Sequence, residues 1–208
     1  MATITCNVCK TNHSQSGGII FSSNSHNAAS QTLVIEQQLV IEQQISEIQR
    51  LHHDYLVLHL PLIKVWVHQV ADELPHNRHL VELCDIVDML NHRLLAHAQE
   101  EDESIFPALI AVEGGHAPAG IAEFLKEIVE THRLENRTLW NMLAKIRKLT
   151  GEYRIPPDAS ETMVSLILHL KDLDENLQEH LQKELRLYPR VFAILGLDDA
   201  PLRAMMNY

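Results

Sequence analysis

Two stretches of this chain pair an imidazole with a carboxylate four residues later, His97 with Glu101 and His180 with Glu184. On an α-helix that separation puts both side chains on one face, one turn apart. Neither pair stands on a polar face. Leu166, Leu170, Leu173 and Leu177 lead at steps of three and four into His180 and Glu184, and Leu187 continues the series. Leu83, Val87, Leu90 and Leu94 lead in the same way into His97 and Glu101. Such a stripe is the core-facing side of a helix, so these four residues fall where leucine is expected. A third apolar series, Ile121, Leu125, Ile128, Leu139, Leu143 and Ile146, takes in His132. Burying an imidazole or a carboxylate is expensive unless something satisfies it. One inward His is usually a hydrogen-bonded core residue, and one His/Glu pair at i, i+4 is usually a surface ion pair. Two inward pairs and a further inward His on separate helices fit neither description. A bound cation compensates all of them at once.

The ligand types narrow the metal. No cysteine lies on the three stripes, which removes thiolate sites and iron–sulfur clusters from consideration there. Zinc is usually satisfied by four ligands, and this core offers more. Several imidazoles with two carboxylates suit a pair of iron or manganese ions, each Glu being able to bridge both, and imidazole favours iron of the two. The ferritin-like pattern has the reverse balance, dominated by carboxylates and built on Glu-x-x-His. Other members of the 14 histidines, His59, His68, His92 and His169 among them, are expected at the surface or around the ligands.

Long helices must carry these stripes. With 208 residues, 7 Gly, 8 Pro and 5% aromatics, the composition favours one helical domain over a turn-rich sandwich or barrel. The first helix is expected from about Thr32 to Val70, bent or interrupted near Pro61. The second follows Pro75 and Asn77 and runs to about Val112, before Gly114-Gly115 and Pro118. The third ends near Leu149 at Thr150-Gly151, and the fourth follows Pro156-Pro157-Asp158 and runs to about Leu187, before Pro189. The predicted fold is all-α, an up-down four-helix bundle over residues 31–195, with a flexible tail over 1–30 and an extension over 196–208. The tail carries Cys6 and Cys9 with His13 nearby, half of a zinc-type spacing. Leu33 to Gln38 is repeated at once as Leu39 to Gln44, a six-residue period that is no coiled-coil signature and reads as a small duplication lengthening the first helix.

A formal charge of −11 makes nucleic acid an unsuitable partner, because binding phosphate backbones relies on Lys and Arg. No apolar run approaches the length of a membrane span or a signal peptide, and three cysteines make no disulfide framework. The expected location is cytoplasmic.

The segment His97-Ala-Gln-Glu-Glu101-Asp-Glu-Ser-Ile-Phe106-Pro107 resembles the His-x-x-x-Glu…Phe-Pro signature of hemerythrin-like domains, and more narrowly that of the repair-of-iron-centres family. Similar too are His52-His53-Asp54-Tyr55-Leu56…Leu60-Pro61, Leu149-Thr150-Gly151-Glu152-Tyr153…Pro156-Pro157-Asp158, and His180…Glu184…Tyr188-Pro189-Arg190. The resemblance covers about residues 40 to 192. It implies a non-haem centre of two iron ions, oxo- or hydroxo-bridged, held by His53, His97, Glu101, His132, His180 and Glu184. In the family the four His divide between the irons and the two Glu bridge them. For the first helix, distance from Pro61 selects His53, whereas helical periodicity extends Ile41, Ile45 and Ile48 to His52. His68 loosely resembles a further family histidine. The last motif is one residue shorter than usual before Pro189, and Cys6 and Cys9 would be the only counterparts of a cysteine-bearing N-terminal domain usual in the family.

The function implied is repair of iron–sulfur clusters damaged by nitrosative or oxidative stress, as an iron donor to damaged iron–sulfur proteins, by a monomer or dimer. Two alternatives use the same centre. One is reduction of nitric oxide or peroxide. The other is oxygen binding or sensing as in hemerythrins proper, which use five His where four are assignable here.

Overall fold

The computed structural model describes residues 41–205. The expected tail, the Cys6–Cys9 spacing, most of the six-residue repeat and the start of the first helix lie outside the described residues, as do residues 206–208.

Four long helical rods carry the stripes. The first comprises α1 (residues 41–48), a π-helical turn (Gln49–His53) and α2 (Asp54–Glu73). The second comprises α3 (Arg78–Glu100), a second π turn (Glu101–Ile105) and α4 (Phe106–Glu113). The third is α5 (Ile121–Leu149) and the fourth is α6 (Glu161–Leu185), followed by the short α7 (Tyr188–Ile194) and α8 (Ala200–Met205). No strand occurs among the described residues. The fold is all-α, as predicted, with α2 packed against α3 and α6, and α3 against α5. Among the described residues no helix is long and apolar enough to cross a membrane.

Helix ends follow the punctuation. The Asn77 side chain accepts from the His79 N–H at 3.0 Å, and Ser160 accepts from the Met163 N–H at 3.2 Å. Each satisfies a backbone donor that a first helical turn leaves free.

Pro61 does not break its helix. The α-helix runs unbroken from Asp54 to Glu73 with Pro61 inside it. A mid-helix proline costs about 3 kcal/mol. Leu56, Leu60, Ile63 and Val67 are fully buried on the same helix, and each burial contributes roughly 1.5–3 kcal/mol. The departure from α-geometry comes earlier, where the Asp54 N–H reaches back five residues to the Gln49 carbonyl. The wider turn brings the neighbours His52 and His53 inside together. In the second π turn the Phe106 N–H reaches the Glu101 carbonyl, and Ile105 and Phe106 are both buried.

Apolar packing forms two clusters. One joins α2, α3, the later part of α5 and α6, from Leu56 and Leu94 to Leu139 and Leu177. The other joins α1, α4, the start of α5 and α7, from Ile48 and Phe106 to Val129 and Tyr188. In the first and third rods the chemistry-bearing residues fall between the two, His53 between Ile48 and Leu56 and His132 between Val129 and Leu139, whereas His97 and His180 stand at the edge of the first cluster beside Ala98 and Leu181.

The turn after α5 explains a motif that chemistry alone does not. Gly151, Glu152 and Tyr153 all have positive φ, 60°, 59° and 58°, which costs a residue bearing a Cβ about 1–2 kcal/mol. This turn delivers the Tyr153 hydroxyl to Asp174 Oδ2 at 2.7 Å. Arg147 donates to both oxygens of the same carboxylate at 2.5 Å, and Gln178 donates to Oδ1 at 3.0 Å. Burial pushes the Asp174 carboxyl up, but these donors outweigh it and hold it below the usual carboxylate range. Its stabilising contribution is therefore present above the unfolded-state value and lost as pH falls through the depressed one. Asp174→Ala should cost about 3 kcal/mol in urea unfolding at pH 7, and less in acid. A cost under about 0.5 kcal/mol would contradict this account.

Candidate metal centre

Six side chains meet in the layer between the two apolar clusters. The first π turn supplies His53, α3 supplies His97, the second π turn supplies Glu101, α5 supplies His132, and α6 supplies His180 and Glu184. None is more than 4% exposed.

Glu101 is the hub. Its Oε2 lies 3.0 Å from His53 Nε2 and 3.4 Å from His180 Nε2, and its Oε1 lies 3.6 Å from His97 Nε2. Glu184 anchors the other side, where its Oε1 accepts from His132 Nδ1 at 2.8 Å and from the Tyr188 hydroxyl at 3.1 Å. The His97 and His132 rings stand 4.6 Å apart and link the two sides, and the His53 and His180 rings stand 5.2 Å apart. His97, Glu101, His180 and Glu184 each offer a ligand atom within 4.8 Å of the others.

Protein partners do not satisfy this layer. His97 Nε2, Glu101 Oε1, His132 Nε2, both nitrogens of His180 and Glu184 Oε2 are buried with no hydrogen-bond partner. Each such atom costs about 1–3 kcal/mol, and one layer holding this many is not explained by packing. Nitrogen and carboxylate lone pairs converging in a dry interior fit a cation, and this donor set suits iron.

The buried carboxylates and imidazoles shift one another's proton affinities. Burial alone would raise the Glu101 carboxyl, but His97 and His180 beside it hold it well below the usual range. Burial alone would lower His97, yet the Glu101 and Glu184 charges and Glu135 push it up to about 9. His53 and His132 are likewise raised against burial, His53 by Glu101 and Asp102 and His132 by Glu184. Protons occupy part of the electrostatic role a metal would fill.

An outer ring of polar groups orients the imidazoles. His53 Nδ1 lies 3.0 Å from Asp102 Oδ1, which also accepts from Gln49 Nε2 at 2.9 Å, so the two π turns are pinned to each other. His97 Nδ1 lies 3.4 Å from Glu135 Oε2. His52 is buried as well, but its Nδ1 lies 3.1 Å from Asn176 Oδ1 and its ring meets His180 edge-on at 5.5 Å. Both first-helix candidates are thus interior, and His53 is the one that faces Glu101. His68 instead sits 3.2 Å from Asp88 in an exposed cluster with Lys64, while His59 stacks on Tyr55 and His169 meets His59 and Trp66 at a tilt along the α2–α6 seam.

Sequence reasoning missed Asp102, Glu135 and Tyr188 as partners of the layer. Tyr188 could have been found, since it stands four residues after Glu184 on the same face. Glu135, three residues after His132, carried a weaker form of that signal. Asp102 carried none, because its contact with His53 joins two π turns 49 positions apart.

Residues 44–191 match the family described as the hemerythrin HHE cation-binding domain. The chain belongs to the hemerythrin HHE family. All four motif stretches that carry the resemblance lie inside the match. The chain is also similar to the iron-sulfur cluster repair protein ScdA of Staphylococcus haemolyticus, 27% identical over 141 residues, which are 67% of this chain and 62% of that protein. A second similar protein is ScdA of Staphylococcus epidermidis strain RP62A, 24% identical over 67% of this chain and 61% of its own length. The chain thus spans about three fifths of the length of these relatives. The family's description is that of a cation-binding domain, and the buried layer of this bundle contains His and Glu residues placed so that they could hold a metal ion.

Proposed function

We propose that the layer holds two iron ions through His53, His97, Glu101, His132, His180 and Glu184, and that the protein donates iron to iron–sulfur proteins whose clusters nitrosative or oxidative stress has damaged. The carrying observation is the concentration of partnerless ligand atoms on His97, Glu101, His132, His180 and Glu184. Two carboxylates with four imidazoles exceed what one tetrahedral ion needs, which supports a pair. His53 is preferred to His52 because its Nε2 faces Glu101 while His52 faces Asn176. The similarity to proteins named for iron–sulfur cluster repair supports the process.

When bound, iron would supply Lewis acidity and one-electron chemistry. The chain's own part is to bind and release. Four neutral imidazoles and only two anionic ligands hold ferrous iron less firmly than a carboxylate-rich cage. Asp102 orients the His53 ring from behind, and Tyr188 donates to Glu184.

The test is anaerobic. Protein purified from iron-replete cells should contain about two irons per chain, expected because six ligands exceed the four that one tetrahedral ion takes. Mixed, in the presence of sulfide and a thiol reductant, with a client protein whose cluster nitric oxide has destroyed, it should lose that iron as the client's cluster absorption returns. Iron retained while nitric oxide or peroxide is consumed catalytically would replace donation with the reductase reading. A stable oxygenated form would replace it with oxygen binding.

A further inference from the structure

An ion held in this layer has to cross a boundary, since none of the six residues is more than 4% exposed. Shedding all of its water in one step is costly, so a partly exposed ligand at the edge of the layer lowers the barrier in both directions. Two carboxylates touch a layer histidine from outside, Asp102 and Glu135, and each side chain is 36% exposed. They are not equivalent. Asp102 Oδ1 is engaged twice, by Gln49 Nε2 and by His53 Nδ1. Glu135 makes a single longer contact, 3.4 Å to His97 Nδ1. Its carboxylate, His97 and His132 each offer a ligand atom within 4.8 Å of the others. His132 is fully buried and its Nε2 has no partner.

These residues form a three-ligand set at the outer edge of the layer, overlapping the buried set of His97, Glu101, His180 and Glu184 through His97. We infer that Glu135, with His97 and His132, forms an outer transfer site through which divalent iron passes between solvent and the buried layer. The inference rests on the proposed iron centre and names its route of exchange. Glu135 meets the hydrated ion and replaces part of its water. His97, with Nδ1 toward Glu135 and Nε2 toward Glu101, stands between this outer set and the buried carboxylates that take the ion up. Release reverses the order. A residue with this role changes rates in both directions and leaves the equilibrium unchanged.

Glu135→Gln, Glu135→Asp and the exposed control Glu127→Gln would be loaded anaerobically with ferrous iron alone, then chased with a colorimetric ferrous chelator. Loading is read from the ferrous iron still free to a rapid chelator quench, and release from the slow growth of the chelate. In Glu135→Gln both rates should fall tenfold or more, with iron per chain and competition against the chelator within twofold of wild type. Glu135→Asp, which keeps the carboxylate, should recover much of the rate, and Glu127→Gln should match wild type. Unchanged rates in Glu135→Gln would overturn the inference. So would faster release with weaker binding, because Glu135 would then only orient His97. Wild-type protein that takes up no iron would sink the proposed centre itself, whereas wild-type loading with an unaffected Glu135 variant sinks the route alone.

Discussion

His180→Leu is expected to raise the melting temperature of the metal-free protein by about 4 °C while removing more than nine tenths of its bound iron, from about 2 kcal/mol of relief at roughly 2–4 °C per kcal/mol. Both His180 ring nitrogens are buried without a hydrogen-bond partner. Each costs about 1–3 kcal/mol, against one lost contact, the 3.4 Å approach to Glu101. Leucine there would extend the stripe of Leu173 and Leu177. With iron bound, the same change removes a ligand and the charge-transfer absorption that accompanies it. Glu184→Leu should behave differently. It strips the buried Tyr188 hydroxyl and His132 Nδ1 of their acceptor, so the metal-free protein loses about 2 kcal/mol as iron binding is also lost. Calorimetric melting of chelator-treated protein beside metal analysis checks both. A His180→Leu chain that keeps its iron, or melts lower without metal, would show that the layer is an ordinary hydrogen-bonded core.

Raising the pH from 7 to 9 should tighten metal binding at least about tenfold per pH unit, because ligands must shed protons to bind. His97 is pushed up to about 9 despite its burial, so it is protonated at neutral pH in the metal-free layer. His53 and His132 are raised as well. A cation entering the layer expels these protons, and calorimetry in two buffers of different ionisation heat should detect their release. Stability of the metal-free protein moves the other way. A folded-state value above the unfolded one contributes stability that is complete below about 6.5 and lost as pH climbs through about 9. The metal-free protein should therefore melt lower at pH 9 than at pH 7, while the loaded protein gains on it. Acidification should free iron by the same competition. An affinity that does not change between pH 7 and 9, measured by competition with a chelator of known pH dependence, would remove His97 from the ligand set.

The His-x-x-x-Glu pairs were legible because two constraints coincide on them. The 3.6-residue period fixed their face, and the surrounding leucines fixed that face as interior. His132 was legible for the same reason, and the helix ends because Asn77, Gly114, Gly151 and Pro157 bear turn chemistry. Periodicity fails where the helix abandons its period. At Gln49–His53 it points to His52, but the π turn admits both imidazoles and aims them differently, His52 at Asn176 and His53 at Glu101. Pro61 misled for the opposite reason. Local propensity marks it as a break, but burial of the residues around it holds the helix together.

By itself, then, the sequence determined an all-α bundle with imidazoles and carboxylates turned inward on separate helices, since both follow from spacing within a helix. Tertiary structure alone decided which of two adjacent histidines faces Glu101, which outer carboxylates brace the layer, and which buried atoms lack partners. Those depend on contacts between residues tens of positions apart, Asp102 with His53 or Glu135 with His97, and no local pattern encodes them.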